Sequence, residues 1–248
     1  MFASTFTYAH TKLRGKKWVV EALTSGEGFA AAETVTELRA AVDGEPLAVY
    51  EDGQTLITRA RSVAAGEFLG HTESDVWLTF DDDAFVPRKT LRALIDAARA
   101  TRSLVGAPAI NRLGNVPNYH VEGDRWSSDR VRQQGDVKLY PVHNVSFTCV
   151  AIHRSVIATL AWPQCMVTHD RNRAAPYPAL FLERIFQGAW MGEDYAFCLL
   201  MHEHFLRRYL LLEHPMIHAG VGCMVSAQGE VLLDSATAKE FEAQGGSK

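Results

Sequence analysis

Three consecutive carboxylates, Asp81, Asp82 and Asp83, follow directly after an apolar run at residues 76–80. A short apolar run that ends in polar residues is typical of a buried strand. In open α/β sheets, ligands bind just beyond the carboxyl ends of such strands. Because the three acids repel one another, we expect them to have a partner such as a hard divalent cation, which also binds phosphate. A solvated acidic turn is the alternative that this stretch leaves open.

Other residues that could take part in catalysis or binding lie before and after this acidic stretch. Asp52 lies at the end of an earlier predicted strand, and Arg61 lies on the helix that follows it. Later come two small polar residues on a predicted strand, a Glu-Asp pair at a predicted helix start, and a histidine near the end of a strand, namely Ser146, Thr148, Glu193, Asp194 and His218. Carboxylates also suit a helix start for structural reasons alone, because they face the positive end of the helix dipole.

Strands and helices alternate in the first part of the chain, and these elements must position the candidate residues. The predicted strands lie at residues 2–8, 46–50, 76–80 and 103–110. The predicted helices lie before residue 23, at residues 33–42 and 54–70, and after Pro87, with apolar residues at helical spacing in the last two. Such alternation predicts a mostly parallel sheet with right-handed crossovers.

The pattern changes beyond residue 111. Strands are predicted at residues 137–142, 144–152 and 208–212, helices at 154–160 and from 193 onward, and a hairpin and a helical tail at 223–233 and 236–248. Residues 114–135 and 164–188 are aperiodic, and long loops inside a compact domain are usually functional. We expect these two regions to bind an acceptor molecule. Their flat aromatic side chains suit stacking on a sugar or base, the candidates being Trp126, Trp162, Tyr177, Phe181, Phe186 and Trp190.

The composition of the chain excludes several classes of protein. Its 248 residues are 47% hydrophobic and 22% charged, which fits one globular domain. The net charge of -4 gives no global basic field that would recruit nucleic acid or anionic membrane. The four cysteines show neither a CxxC pair nor metal-finger spacing. The start resembles no signal peptide and no apolar run is long enough to span a membrane, so we expect a cytoplasmic protein without a transmembrane anchor.

Taken together and in this order, the motifs resemble those of GT-A glycosyltransferases, particularly the inverting enzymes similar to family 2. The matching segments are RARSVAAGEFL, DVWLTFDDDAFVP, SLVGAPAI, NVSFTCVAIHRSVIATLAWP, WMGEDYAFCLLM and IHAGVG, within residues 2–221. The resemblance implies a single α/β catalytic domain with a Rossmann-like, mostly parallel central sheet flanked by helices and a smaller acceptor-side sheet. Residues 1–110 would form the nucleotide-binding half, 111–222 the acceptor and catalytic half, and 223–248 a C-terminal hairpin and tail.

The resemblance also implies a metal site. Asp81 and Asp83 match the first and last acids of the Asp-x-Asp motif, which hold the nucleotide ribose and a Mn²⁺ or Mg²⁺ ion that bridges the two phosphates. Asp82 would contact the ribose, directly or through water. His218 matches a late histidine that completes the metal coordination. Oxygen ligands combined with one imidazole suit Mn²⁺ somewhat better than Mg²⁺.

Further roles are implied for the catalytic and nucleotide-binding residues. Asp194 matches the general base that acts on the acceptor hydroxyl, and Glu193 is the second candidate for that role or a ligand of the sugar hydroxyls. The nucleotide would be recognised near the first two strand ends. Thr5 and Tyr8 would line the base, Asp52 would accept the uracil N3 hydrogen, and Arg61 would touch the base or the diphosphate.

The expected function is therefore metal-dependent, inverting transfer of a sugar from a nucleotide diphosphate, with a UDP-sugar expected, to a hydroxyl acceptor. The acceptor is a carbohydrate or a glycoconjugate, or a modified nucleic acid given the arginines at 125–132 and 171–184. One alternative is a phosphotransferase of the haloacid dehalogenase type, although its Asp-x-Asp motif usually lies near the start of the chain. The other alternative is a non-catalytic, metal-dependent carbohydrate-binding module, which would not need Glu193 and Asp194. The sequence leaves the oligomeric state open.

Overall fold

The computed structural model describes residues 1–6, 29–45, 47–52, 56–70, 74–81, 84–108, 119–121, 131–168, 175–211, 213–214 and 216–218. Side chains are described for these residues except at 4–6, 29–33, 48–52, 119–121, 164 and 217–218. Predictions for other residues, such as the helix before residue 23, the hairpin at 223–233 and the helical tail, lie outside the described part.

Five helices and one large sheet make up most of the described residues. The helices are α1 (Phe29–Val42), α2 (Ile57–Gly70), α3 (Arg88–Thr101), α4 (Arg154–Leu160) and α5 (Glu193–Glu203). The strands of the large sheet are β1 (Phe2–Phe6), β2 (Ala48–Asp52), β3 (Val76–Asp81), β5 (Leu104–Gly106), β6 (Tyr119–Val121), β7 (Arg132–Gln134), β8 (Val137–Val145), β9 (Cys149–His153) and β14 (Arg208–Leu210). Shorter strands form two-stranded sheets, namely β4 (Ala84–Phe85), β10 (Met166–Val167), β11 (Tyr177–Pro178), β12 (Arg184–Phe186), β13 (Ala189–Met191) and β15 (Ile217–His218).

The strand order of the large sheet is β2-β1-β3-β9-β5-β14-β8-β6, with β7 also paired to β8. Strand β1 is parallel to β2 and β3, and β14 is parallel to β5. Strand β9 is antiparallel to both β3 and β5, and β8 is antiparallel to β14. Strands β2, β1, β3, β5 and β14 therefore share one direction, which β9 and β8 oppose. The predicted α/β fold, with a mostly parallel central sheet flanked by helices, is confirmed.

Side chains of β3 alternate between two apolar cores. Leu78 and Phe80 belong to the core that α1 and α3 cover, whereas Trp77 belongs to the core that α2, α4 and α5 cover. All three side chains are fully buried, because helices cover both faces of the sheet. By the same alternation, the side chain of Asp81 lies on the Trp77 side, where α2 and α5 pack.

Arg154 fixes the end of α2 against the sheet. Its Nη2 donates to the carbonyl oxygen of Phe68 at 2.7 Å, and its Nη1 donates to that of Leu69 at 3.2 Å. Its Nε donates to the carbonyl of Ser74 at 2.6 Å, and its guanidinium lies 4.5 Å from the centroid of the Phe68 ring. These bonds satisfy carbonyls that a helix end otherwise leaves without intrahelical donors. The helix that carries Arg61 is thereby held at a defined position.

The segment between β8 and β9 differs from the sequence prediction. Ser146 and Thr148 were expected on a strand over residues 144–152, but β8 continues to Val145 and β9 begins only at Cys149. The prediction of a strand at these two residues is wrong because the chain must cross from one side of β14 and β5 to the other at this point. A turn at residues 146–148 makes that crossing, and it lies beside the end of β3.

Residues 166–191 carry the smaller sheets β10–β11 and β12–β13, on the side of the molecule that also holds α5. The sequence of residues 164–188 is aperiodic because each of these strands has only two or three residues, too few to show an alternation of apolar and polar side chains. No helix within the described ranges is both long and apolar enough to cross a lipid bilayer.

Candidate active site

Arg61 joins two acidic positions that lie far apart in the sequence. Its Nη2 donates to Asp81 Oδ1 at 2.9 Å, and its Nη1 donates to Glu193 Oε1 in a short hydrogen bond. The Arg61 side chain is only 2% exposed, while those of Asp81 and Glu193 are 23% and 14% exposed. A guanidinium this deeply buried is stable only when it is paired, and here two carboxylates share it. The end of β3 and the start of α5 therefore meet at one cation.

Phe147 supports this cation from the turn between β8 and β9. The guanidinium of Arg61 lies 5.3 Å from the centroid of the Phe147 ring, and its Nη2 is 3.5 Å from the Phe147 carbonyl oxygen. The ring is fully buried, and its centroid lies 5.4 Å from those of both Phe181 and Phe197. Since Phe197 lies on the first turns of α5, these contacts fix the turn and the helix start relative to each other.

Asp81 is the last residue of β3 and is held through its main chain as well as its side chain. Its backbone N–H donates to the carbonyl oxygen of Thr148 at 3.0 Å. The hydroxyl of Thr148 lies 3.1 Å from that of Ser146, so both small polar residues face the same part of the structure. Burial, together with the charge of Asp81, raises the pKa of the Cys149 thiol, which stays neutral. Asp81 is therefore fixed at this strand end by its backbone as well as by its ion pair with Arg61.

Glu193 and Asp194 are the first two residues of α5 and have different surroundings. Burial raises the pKa of the Asp194 carboxyl, the charge of Glu193 adds to the rise, and Arg61 opposes it. The Tyr195 backbone N–H, which donates to Asp194 Oδ1 at 2.7 Å, and the Ser146 hydroxyl also oppose the rise. Glu193 is engaged by the guanidinium, whereas Asp194 has a raised proton affinity. A carboxylate with a raised proton affinity, such as that of Asp194, is the better proton acceptor at a catalytic site.

The strand registers place further predicted residues at the same end of the sheet. Phe6 of β1 is in register with both Asp52 and Asp81, so these two acids end neighbouring strands on either side of β1. Thr5 lies one residue earlier on β1, opposite Phe80. The backbone of His218 pairs with Ala84 in a small antiparallel sheet, shortly after the acidic stretch. Tyr8, Asp82 and Asp83, and the side chains of Thr5, Asp52 and His218, lie outside the described set, so their predicted roles stay predictions.

Asp81 is the one predicted metal ligand whose side chain the structure describes. Asp81 offers carboxylate oxygens, is partly exposed, and has only its Oδ1 in the hydrogen bond with Arg61. Among the side chains that the structure describes, no group of three or more His, Cys, Asp or Glu residues could hold a metal ion. The predicted ligands Asp83 and His218 are not among those side chains, so the metal site stays a prediction.

Two aromatic residues expected to bind the acceptor lie in the core instead. Tyr177 is 7% exposed and packs against Gly66 of α2, and Phe181 is fully buried, with its ring stacked 4.4 Å from that of Phe197. The prediction of a stacking role is wrong for both, because the sheet face that carries Trp77 needs their apolar area as cover. Trp162, Phe186 and Trp190 are exposed, by 47%, 41% and 69%. Trp126 lies outside the described residues.

The pairing of Arg61 with Glu193 was not predicted from the sequence. One signal could have revealed the burial of Arg61, since apolar residues follow it at spacings of three, four and seven, at Ala64, Ala65 and Phe68. This spacing places an arginine on the buried stripe of α2. A buried arginine requires an acidic partner, and only the fold could identify which acid lies opposite.

Comparison with known proteins gives a likeness of fold. No protein-family model matches the chain, and no curated protein matches it by sequence. UDP-glucose pyrophosphorylase in complex with UDP-glucose superposes with a TM-score of 0.50 at 8% identity, over 98% of this chain and 98% of that one. Protein A197 from STIV gives a TM-score of 0.49 at 12% identity, over 94% and 93% of the two chains. A glycosyltransferase involved in glycosylation of the major capsid of PBCV-1 gives 0.33 at 13% identity, over 64% and 61%. The first likeness shows that the chain has the fold of a nucleotide-sugar pyrophosphorylase.

Proposed function

We propose that this protein is a metal-dependent, inverting glycosyltransferase that moves a sugar from a UDP-sugar to an acceptor hydroxyl. The observation that carries the proposal is the contact of Arg61 with both Asp81 and Glu193. This contact brings the end of β3, which is expected to bind the leaving group, next to the start of α5, which is expected to supply the base. The fold, the shared register of Asp52 and Asp81 at one end of the large sheet, and the pairing of His218 with Ala84 just after the acidic stretch support the same assignment.

Asp81 and Arg61 would serve the diphosphate side of the reaction. Asp81, Asp83 and His218 would hold the Mn²⁺ or Mg²⁺ ion, which when bound neutralises charge on the departing nucleoside diphosphate. Arg61 balances the charges of Asp81 and Glu193 while the donor is absent, and so keeps the strand end ordered for binding. Preorganised charge of this kind lowers the cost of reorganisation during the reaction.

Asp194 is the better candidate for the general base. An acceptor hydroxyl must lose its proton as it attacks, so the base needs proton affinity and must not be tied up in an ion pair. The raised pKa of Asp194 meets the first requirement, and Arg61 engages Glu193 rather than Asp194. We therefore assign proton transfer to Asp194, and the positioning of Arg61 and the helix start to Glu193.

A pyrophosphorylase activity is the second candidate, because UDP-glucose pyrophosphorylase shares the fold at a TM-score of 0.50. In that reaction a phosphate attacks a nucleotide, and since the phosphate is already ionised it needs no base with a raised pKa. Asp194, whose pKa is raised by burial, is therefore better suited to a hydroxyl acceptor. Two further alternatives gain no support from these contacts. A dehalogenase-type enzyme would need Asp81 as a nucleophile, yet Asp81 is paired with Arg61. A carbohydrate-binding module would not need Asp194.

A thermal-shift screen of UDP, GDP, CDP and ADP, each with and without Mn²⁺, tests donor binding. We expect one nucleotide, UDP, to stabilise the protein only with the metal, by about 2.7 kcal/mol when its concentration is 100 times its Kd. Asp81→Asn should abolish this shift, whereas Asp136→Asn, at an exposed aspartate of the β7–β8 turn, should retain it. A metal-independent shift, or none with any nucleotide, would contradict the proposal.

Product analysis separates the two candidate reactions. The protein is incubated with UDP-glucose, UDP-galactose or UDP-N-acetylglucosamine and Mn²⁺, with and without pyrophosphate. A transferase releases UDP by transfer, or by slow hydrolysis when no acceptor is present. Formation of UTP that depends on pyrophosphate would instead identify a pyrophosphorylase.

A further inference from the structure

We infer that one face of the β12–β13 hairpin, formed by Ile185 and Trp190, binds an uncharged sugar ring of the acceptor. The inference rests on the proposed function, since only a transferase has an acceptor. It deepens that function by naming a neutral saccharide as the acceptor class. Binding of a saccharide to this face can be measured without any donor or turnover.

The hairpin presents the two side chains as one flat surface. Ile185 and Trp190 are directly opposite each other in the antiparallel register, and paired residues of this kind project from the same face. They are 71% and 69% exposed. The turn residues Gln187 and Gly188 have φ angles of 50° and 79°, as in the tight turns whose twist matches that of paired strands. The surface is therefore held by a regular hairpin.

The opposite face of the hairpin is directed toward α5. Arg184, one residue before Ile185, projects from that opposite face, and its Nη1 donates to Glu203 Oε2 at 3.2 Å. Met191, which pairs with Arg184, is only half-exposed. This side makes an ion pair with α5, whereas Ile185 and Trp190, on the other face, are the more exposed pair.

The charge and size of the face determine what it can bind. Residues 185–191 read IFQGAWM and include no charged side chain, which disfavours a phosphorylated or polyanionic ligand. The two exposed side chains offer roughly 300 Å² of apolar surface, well below the roughly 800 Å² per partner of a stable protein interface. An indole face suits the apolar C–H face of a pyranose ring, which keeps its hydroxyls in water. The ligand that fits best is therefore a sugar of one or two rings.

The location of the face connects it with the proposed base. Trp190 precedes Asp194 by four residues, so the two Cα atoms are at most about 14 Å apart. The intervening Gly192 has no side chain, and it is the cap residue of α5. A short oligosaccharide held on Trp190 can therefore extend toward the carboxylate that would deprotonate its hydroxyl.

Intrinsic tryptophan fluorescence tests the inference without donor or metal. The purified protein is titrated with maltopentaose, cellopentaose, chitopentaose and mannopentaose, up to tens of millimolar. We expect at least one probe to change the fluorescence saturably. Isothermal titration calorimetry, which does not need Trp190 as a reporter, should show that Trp190→Ala weakens binding of that probe by roughly tenfold or more. Trp190→Phe, which keeps an aromatic face, should lose less affinity. Phe205→Ala, at an exposed aromatic side chain that has no proposed role, should bind as the original protein does.

The outcomes distinguish this inference from the proposed function. Saturable saccharide binding that Trp190→Ala abolishes, without any nucleotide-induced thermal shift, would support the saccharide face and contradict the transferase. A nucleotide shift without response to any of the four probes would overturn the saccharide face and leave the transferase standing. Equal weakening by Phe205→Ala and Trp190→Ala would also overturn it, and the unfolding curves of both variants exclude a general loss of structure.

Discussion

Arg61 and Asp81 are joined by a hydrogen bond of 2.9 Å between Nη2 and Oδ1, and the same guanidinium also pairs with Glu193, 132 residues further along the chain. The cation thus connects the end of β3, in the first half of the chain, with the start of α5 in the second half. Since it is almost fully buried, its two partners are required for the stability of the fold as well as for the geometry of the site.

Arg61→Met should therefore destabilise the protein strongly. Removal of one member of a buried ion-pair group leaves the others uncompensated, and we expect the free energy of unfolding to fall by about 2–4 kcal/mol. Urea denaturation measures this loss. Arg184→Met is the matched control, because its pair with Glu203 is 41% exposed on both sides and should contribute less than about 1 kcal/mol. Equal losses for the two variants would show that burial does not set the strength of the Arg61 pairs.

Asp194→Asn should abolish transfer and, in the same variant, increase stability. Loss of the base should lower kcat by roughly 10²–10⁴, while the thermal shift with UDP and Mn²⁺ persists. The raised pKa means that the folded protein favours the protonated carboxyl, so ionised Asp194 costs stability above its folded-state pKa. Asparagine removes that cost at pH 7, and the stability gain should shrink as the pH falls toward 3.8, the ordinary value.

Activity should follow the same ionisation. The rate should rise with pH as Asp194 loses its proton, with a midpoint above the ordinary value of 3.8. Glu203→Gln, at an exposed glutamate of the same helix, serves as the control and should keep both the activity and its pH profile. Retained turnover in Asp194→Asn would remove Asp194 as the base and leave Glu193 to be tested by the same substitution to glutamine.

Elements with strong local patterns could be predicted from the sequence. The helix at Arg154–Leu160 and the start of α5 at Glu193 have the predicted bounds, and Leu91 and Leu94 are buried as their spacing in α3 indicates. In each case the decisive signal, an apolar periodicity or an acidic helix start, lies within a few residues.

Features that depend on distant partners could not be predicted in this way. The direction of β9 between β3 and β5 depends on pairing across more than forty residues, and no local pattern specifies the direction of a buried strand. The burial of Phe181 depends in the same way on Phe197 and Phe147. The candidate site combines both kinds of information, since its acids were visible in the sequence and their link through Arg61 was not.

Gly66 allows a test of how tightly α2 packs on β11. A Cβ atom at this position would lie 2.7 Å from the Cβ of Tyr177 and 3.1 Å from its Cα, distances that require the strand to shift. Gly66→Ala should therefore lower the free energy of unfolding by about 1–3 kcal/mol. Gly70→Ala in the same helix is the control, because among the described residues no heavy atom outside its own helix and chain neighbours lies within 4 Å of its Cβ position. It should be neutral or stabilise by up to about 1 kcal/mol, as alanine favours helix. If both variants unfold at the same urea concentration, the close approach does not limit packing.

Arg99 of α3 organises a network of charges at the opposite end of β3 from the candidate site. Its Nε and Nη2 donate to the two carboxylate oxygens of Asp75 at 2.7 and 3.1 Å, and its Nη2 and Nη1 donate to those of Glu45 at 2.6 and 3.2 Å. Hydrogen bonding to Arg99 lowers the pKa of Glu45. For Asp75, burial is the largest single influence and raises the pKa, but the hydrogen bonds to Arg99, its charge and smaller contributions together lower the pKa overall.

Arg99→Met should destabilise the protein at neutral pH but not in acid. Carboxyls whose pKa is lowered by folding add stability above their ordinary values of 4.5 and 3.8, and this stability is lost as the pH falls through the lowered values. We expect a loss of about 1 kcal/mol at pH 7, since the groups are partly exposed and screened by solvent. Urea denaturation of both proteins from pH 7 to pH 3 measures the difference, which should disappear at the acidic end and decrease in high salt. Lys138→Met, which removes an exposed pair with Glu213, is the control and should change stability little at any pH. A difference between Arg99→Met and the original protein that stays constant with pH would assign its effect to lost packing of the arginine stem, not to the charges of Glu45 and Asp75.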